Sequence, residues 1–282
     1  MKALRIIPRL DIKGPNLVKG IHFEGLRVLG KPNEFAQYYY RQGADELVFM
    51  DVVASLYERN NLHDIINETA KNIFIPITVG GGLRSISDIK EILRVGADKV
   101  SLNTAVLKNP GLIRDASRKF GSSTIVVAVE CIKEGPENYL AYTDNGREYT
   151  GLDVFEWVKE IEKLGAGEII VSSVDKEGTG EGFDIELISK ISNLVDIPVI
   201  AHGGPGKKED VVNLIKNADV DALMISSLFH YKFIQENISN PSTSEGNIEF
   251  LKNKRNYKNF KSCSINDLKN ELINNNIQCR LE

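Results

Sequence analysis

Thr78-Val79-Gly80-Gly81-Gly82 and Ile200-Ala201-His202-Gly203-Gly204 decide the fold. Each is an apolar, β-branched run that ends in glycines and leads into a helical pattern. Counted from Gly80 to Gly203, they stand 123 residues apart. Two acids keep nearly the same spacing: Asp11 closes the apolar run Leu4 to Leu10, and Glu130, 119 residues later, closes Ile125 to Val129. Gly43-Ala44-Asp45-Glu46-Leu47-Val48 returns, 122 residues on, as Gly165-Ala166-Gly167-Glu168-Ile169-Ile170. Three motifs at one spacing mean that the chain is two copies of one half. A duplicated half predicts a closed barrel in which two similar anion sockets face each other, with one acid from each half between them. Such a mouth suits a long substrate phosphorylated at both ends.

Outward from these motifs, short β-branched runs alternate with longer helical patterns, as in βαβ units around a parallel sheet. Eight strands are predicted to begin near Leu4, Glu46, Pro76, Lys99, Thr124, Glu168, Pro198 and Ala222. Helical patterns between them include Lys31 to Gln42, Ser85 to Val95, Pro110 to Phe120, Gly151 to Leu164 and Asp184 to Leu194. This is the order of an α/β chain forming a (β/α)8 TIM barrel from two half-barrels, whose site lies at the C-terminal strand ends. An open doubly wound sheet also binds ligands there but requires no matching halves. Residues 1–282 are therefore expected to form one barrel domain. Two stretches break the repeat. Tyr139 to Tyr149 carries Asp144-Asn145-Gly146, the signature of a β-hairpin. A polar insertion at about 235–262, rich in Asn, Lys and Ser, precedes a last amphipathic helix from Ile265 to Ile273.

Composition sets outer bounds. Among 282 residues, 42% are hydrophobic and 26% charged, ordinary for a globular chain with a sizeable core. The net charge of −4 gives no sign of nucleic-acid binding, so any anion site must be local. Three widely spaced cysteines, Cys131, Cys263 and Cys279, fit a reducing compartment, and no apolar run approaches the ~20 residues of a membrane span. A cytoplasmic protein is expected.

Asp11 and Glu130 would project into one water-poor mouth, where paired acids can be driven to different pKa values and divide acid and base work. The alternative is that each only caps its strand or pairs with a cation such as Arg9 or Lys19. Gly80 to Gly82 and Gly203-Gly204 allow backbone N–H groups close to an anion, beside a helix start. Asn103-Thr104 and Ser226-Ser227 would add small polar donors to each socket, although either pair could be a helix cap. Arg5, Glu46, Lys99 and Glu168 open strands one, two, four and six. Their alternating charges predict a ring at the opposite end of the barrel, either a structural network or a gated passage from a docked partner. His22, His63, His202 and His230 show no metal spacing, so neither metal nor cofactor is expected. His202, beside Gly203, reads equally as a substrate contact or a core histidine.

Taken together, Leu10-Asp11-Ile12-Lys13, Val18-Lys19-Gly20, Thr78 to Gly82, Gly96-Ala97-Asp98-Lys99-Val100-Ser101, Asn103-Thr104-Ala105, Gly165 to Glu168 and Arg280-Leu281-Glu282 resemble the cyclase subunits of imidazole glycerol phosphate synthase. The resemblance spans nearly the whole chain outside the insertion. It implies a glutaminase subunit docked as a heterodimer on the strand-start face near Asp98, with ammonia passing the Arg5–Glu46–Lys99–Glu168 gate. At the far mouth ammonia would meet the bis-phosphorylated ribulosyl substrate, giving imidazole glycerol phosphate and aminoimidazole carboxamide ribonucleotide. Asp11 and Glu130 would be the general base and acid. Lys19, Gly81, Gly82, Asn103, Thr104, Glu177, Gly178, Gly203, Gly204, Ser226 and Ser227 would bind the two phosphates. The family's second acid is Asp where this chain has Glu130, and a small residue where this chain has Arg9. Glu177, His202 and Pro205 also depart from the family pattern. Two further readings follow: a paralogue that passes ammonia to another acceptor, such as a surface-polysaccharide sugar, or a silent barrel that only scaffolds a glutaminase.

Overall fold

The computed structural model describes residues 3–54, 62–237 and 259–280. Eight parallel strands form the barrel: β1 (Arg5–Lys13), β2 (Leu47–Asp51), β3 (Ile77–Gly80), β4 (Lys99–Leu102), β5 (Ile125–Lys133), β6 (Glu168–Ser173), β7 (Val199–His202) and β8 (Ala222–Ile225). Neighbours pair in sequence order, and β8 pairs β1, so the sheet has no free edge along the barrel. Helices follow the strands on the outside, including α1 (Pro32–Arg41), α2 (His63–Ala70), α3 (Ile86–Val95), α4 (Gly111–Phe120), α5 (Val154–Leu164), α6 (Ile185–Ser192), α7 (Lys208–Asn217) and α8 (Ser227–Asn237). Each expected strand start lies within one residue of the observed one. The expected helix from Gly151 is corrected: Glu148–Asp153 is a strand, and the helix begins at Val154, after Asp153 caps the N–H groups of Phe155 and Glu156.

The main core lies between sheet and helices, because residues of alternating strand positions face outward onto apolar helix stripes. A smaller apolar plug fills the barrel: Ile7, Val48, Val126, Ala128, Ile170, Ile200, Ala222 and Met224. Below it lies the charged ring, and above it Arg9, Asp11, Glu130 and His202 line the mouth.

A repeated latch sets the strand register. Asp45, just before β2, accepts the N–H of Ile6 in β1 at 2.7 Å. Asp98, before β4, accepts that of Ile77 in β3 at 2.8 Å, and Asp221, before β8, that of Val199 in β7 at 2.9 Å. The fourth equivalent position is Gly167, where a Cβ would meet the Ser122 carbonyl oxygen at 2.2 Å. The aspartate before an even-numbered strand is thus a structural device, and the exception is where the backbones touch.

Both acids lie inside their strands rather than at the ends. β1 and β5 run two or three residues further and turn into antiparallel hairpins, Asn16–Ile21 with Glu24–Gly30, and Tyr139–Thr143 with Glu148–Asp153. The second hairpin is the one expected from Asp144-Asn145-Gly146, all with positive φ. The first has no such signal, because its turn residues are His22 and Phe23, at φ of 52° and 59°. Of the expected insertion, 238–258 lies outside the described residues, as do Leu281 and Glu282. The chain re-emerges at Asn259 against the loops after β6 and β7, where Lys261 donates its N–H to Gly206 O at 2.7 Å.

Candidate active site

Each hairpin reaches across the mouth to the other half. His22 Nδ1 donates to Val174 O at 2.8 Å, in the loop after β6, and Asn145 Nδ2 donates to Val52 O at 2.8 Å, in the loop after β2. The donors differ by 123 residues and the acceptors by 122, so the two bonds are one contact made twice. The first socket therefore takes its glycines from one half and its acid and hairpin tip from the other, while Lys19 and Phe23 of the first half reach Glu177 beside the second.

The first socket is a cavity of about 460 Å³ lined by Gly81, Gly82, Asn103, Thr104, Glu130, Asp144 and Asn145, with Arg84 and Lys108 also on its wall. Gly81 has φ of 98°, and a Cβ there would lie 2.3 Å from Asp51 O, so glycine is required. Ser85 and Asp88 form a capping box that starts α3 directly behind the turn. Asn103 precedes the short helix Thr104–Lys108 but makes no side-chain cap; its buried Oδ1 has no hydrogen-bond partner among the described residues. Ser101 Oγ is in the same state. Unsatisfied polar atoms in such a site call for a polar ligand.

The second socket has the same parts in a closed state. Gly203 has φ of 95°, and its Cβ would meet Ser173 O at 2.8 Å, the counterpart of Asp51 O. Asp210 accepts the N–H groups of Gly206 and Lys207 at 2.9 and 3.1 Å, as Asp88 does for Arg84 and Ser85. Glu177, Gly178, His202, Gly203, Gly204, Ser226 and Ser227 surround only about 10 Å³, room for about one water-sized sphere. Pro205 and Phe260 complete the wall, and Phe260 packs edge-on against Tyr231. The Lys19 ammonium is held by the Glu177 carboxylate. Phe23, buried at the hairpin tip, lies over the Arg9 guanidinium at 4.9 Å.

The acids are driven apart by their surroundings. Burial alone would raise the Asp11 pKa, but Arg9 and Lys19 outweigh it and hold the carboxyl below the usual carboxylate range. Arg9 Nε donates to Asp11 Oδ1 at 2.7 Å, and Lys19 Nζ is 3.8 Å from Oδ2. Glu130, partly exposed on the cavity wall, is pushed up to about 7 by desolvation, against the Gly146 N–H at 2.9 Å and the charge of Arg9, both of which lower it. His202 is kept neutral by burial and by Arg9, and donates Nδ1–H to Met224 O at 2.8 Å, so Nε2 carries the lone pair.

At the strand-start end, Arg5 Nη1 bonds Glu46 at 2.6 Å and Glu168 at 2.9 Å, and Lys99 Nζ bonds both at 3.1 Å. The four residues close into an alternating ring. Asp98 is exposed on the same face, where Phe74, 79% exposed, and Leu194 sit in the loops before β3 and β7. Sequence reading omitted Phe23, Phe260, Arg84 and Lys108 from the site. Arg84 and Lys108 follow the glycine turn and Asn103 closely enough to have been found; nothing local marks the two phenylalanines.

Comparison with known proteins gives one answer. Residues 5–235 match the family described as Histidine biosynthesis protein. Imidazole glycerol phosphate synthase subunit HisF of Legionella pneumophila is 58% identical over 210 residues, 74% of this chain and 99% of that protein. The subunit of the same name from Lactococcus lactis is 43% identical over 282 residues, the whole of this chain and 98% of that protein. That of Hydrogenobaculum is 48% identical over 234 residues, 83% of this chain and 93% of that protein.

Proposed function

This chain belongs to the histidine biosynthesis protein family, among the HisF subunits of imidazole glycerol phosphate synthase, and from that premise we propose how its mouth performs the cyclase reaction. The whole chain acts as one barrel domain. A glutaminase subunit docks on the strand-start face, where exposed Phe74, Leu194 and Asp98 surround the charged ring, and ammonia enters through that ring. One phosphate of the ribulosyl substrate occupies the cavity at Gly81, Gly82, Asn103 and Thr104. The other reaches Gly178, Gly203, Gly204, Ser226 and Ser227, and Lys19 passes from Glu177 to the phosphate. Ionised Asp11 accepts protons and protonated Glu130 donates them as ammonia condenses with the ribulosyl carbonyl, the ring closes and the C–N bond breaks. The work is done in the cytoplasm, where the cysteines stay as thiols.

The observation that carries this reading is the acid pair: matched strands of the two halves hold one carboxylate ionised and one near neutrality. The names of the relatives point to histidine biosynthesis, and neither the sugar-amidating nor the silent-scaffold reading is retained. Purified protein given ammonium and the ribulosyl substrate should release imidazole glycerol phosphate, and the gene should restore growth of a histidine auxotroph lacking the cyclase. Absence of turnover by folded protein would overturn the reading.

A further inference from the structure

Arg9 is a permanent charge buried at the inner end of the mouth, next to the apolar plug. It is 4% exposed, stands on β1 between Ile7 of the apolar plug and Asp11, and its charge reaches Asp11, Glu130 and His202 alike. Its Nε is spent on Asp11. No hydrogen bond to its Nη groups is found among the described residues, and Phe23 fixes the guanidinium plane from one side. The Nη atoms are not among the sealed, unpartnered polar atoms of the described residues, so they open onto the mouth, where an oxygen ligand can accept from them. Since both acids flank it, that ligand lies where proton transfers occur.

We propose that Arg9 is a catalytic residue whose Nη donors bind the reacting carbonyl oxygen of the substrate between Asp11 and Glu130. The inference rests on the cyclase reading. The ammonia lone pair forms the N–C bond, and the carbonyl π pair moves onto the oxygen, where Arg9 holds the growing negative charge. Asp11 takes one proton from nitrogen and Glu130 gives one to oxygen, so charge is conserved. The nitrogen lone pair then expels the hydroxyl, which leaves as water with the proton Asp11 had taken, while Glu130 takes the proton lost by nitrogen, so the imine forms and both acids return to their starting states. Lysine would supply the charge without the fork.

The test compares wild type with Arg9→Met, Arg9→Lys and Arg9→Ala, using ammonium and the ribulosyl substrate, with circular dichroism to verify folding. Arg9→Met should lower kcat by about 100- to 1,000-fold with little change in KM, as for loss of an oxyanion donor. Arg9→Lys should fall between the two, and added guanidinium should restore part of the Arg9→Ala rate, which a structural role does not allow. Unchanged kcat in Arg9→Met overturns the proposal. So does a loss that guanidinium does not recover and that only moves the acid limb of the pH profile upward, because Arg9 would then act solely through Asp11. If Arg9→Met and Arg9→Ala fail to fold, Arg9→Lys decides, full kcat overturning the proposal and a loss of about tenfold supporting it. Failure of wild type itself to turn over brings down the cyclase reading and this inference together; active wild type with unaffected variants brings down this inference alone.

Discussion

The two sockets are built from the same backbone and differ in what fills them. Gly81 and Gly203 have nearly equal φ, each presses on the last carbonyl of the strand preceding its own, and each turn is stapled by an aspartate at the third position of the next helix. Yet one encloses about 460 Å³ and the other about 10 Å³. The narrow one is walled by Phe260, from the chain returning to the barrel, and by Glu177, which holds Lys19 and the Phe23 N–H. Asp144 and Asn145 line the open socket from the second hairpin. Backbone symmetry builds the glycine turn twice; side chains decide how much room each turn is left.

The largest effect should come from the acid in the open socket. Glu130→Gln should lower kcat by about 10²- to 10⁴-fold, the usual worth of a positioned proton donor. Burial raises the Glu130 pKa to about 7, so the acid is protonated below that pH and the wild-type rate should fall as pH rises through it. The variant should lose that alkaline limb; a limb that persists assigns it elsewhere. The raised value also has a stability sign. The contribution is present below the ordinary carboxylate pKa and is lost as pH rises through about 7.

Next in size, Phe260→Ala should destabilise the fold by about 3 kcal/mol, the lower range for removing a buried phenylalanine, read from denaturant midpoints. The same change should convert the closed socket toward the open one. Calorimetric titration with inorganic phosphate should then detect a second site per chain beside the one at Gly81 and Asn103. No added site in the variant would mean that Lys19 and Glu177, not Phe260, keep the socket shut.

Smaller still, Gly81→Ala should lose about 2 kcal/mol, combining a left-handed backbone with contact against Asp51 O, and Gly203→Ala somewhat less because its Cβ has 0.5 Å more room. Reversal of that order would show that the open socket relaxes where the closed one cannot. The finest comparison is His22→Ala against Asn145→Ala. Each removes one cross-mouth hydrogen bond and should cost about 1 kcal/mol. Equal losses would make the two contacts energetic twins.

The fold was legible because its signals are local and repeated. Glycine turns, the Gly-Ala starts before β2 and β6, and β-branched runs recur at nearly one spacing, and chance does not repeat a register. Asp144-Asn145-Gly146 announced its hairpin because asparagine and glycine tolerate positive φ. His22-Phe23 hid the matching one, since bulky residues take that conformation only when tertiary contacts hold them, here Val174 O for the His22 ring and Glu177 for both backbone N–H groups. Asp11 and Glu130 stood out as acids after apolar runs. Closure of the second socket did not, because Phe260 joins Pro205 in its wall across more than fifty residues of chain. Arg9 was visible beside Asp11, but its reach to Glu130 and His202 depends on the barrel being closed.

The crossed hairpins bear on how a gene that doubles can afterwards diverge. Since His22 fastens onto the far half's Val174, and Asn145 onto the near half's Val52, a change in either tip is felt in the pocket of the other copy. Because both acceptors are main-chain oxygens, each tip leans on the partner half's backbone path rather than on its side chains, and a substitution at one tip acts on both halves at once.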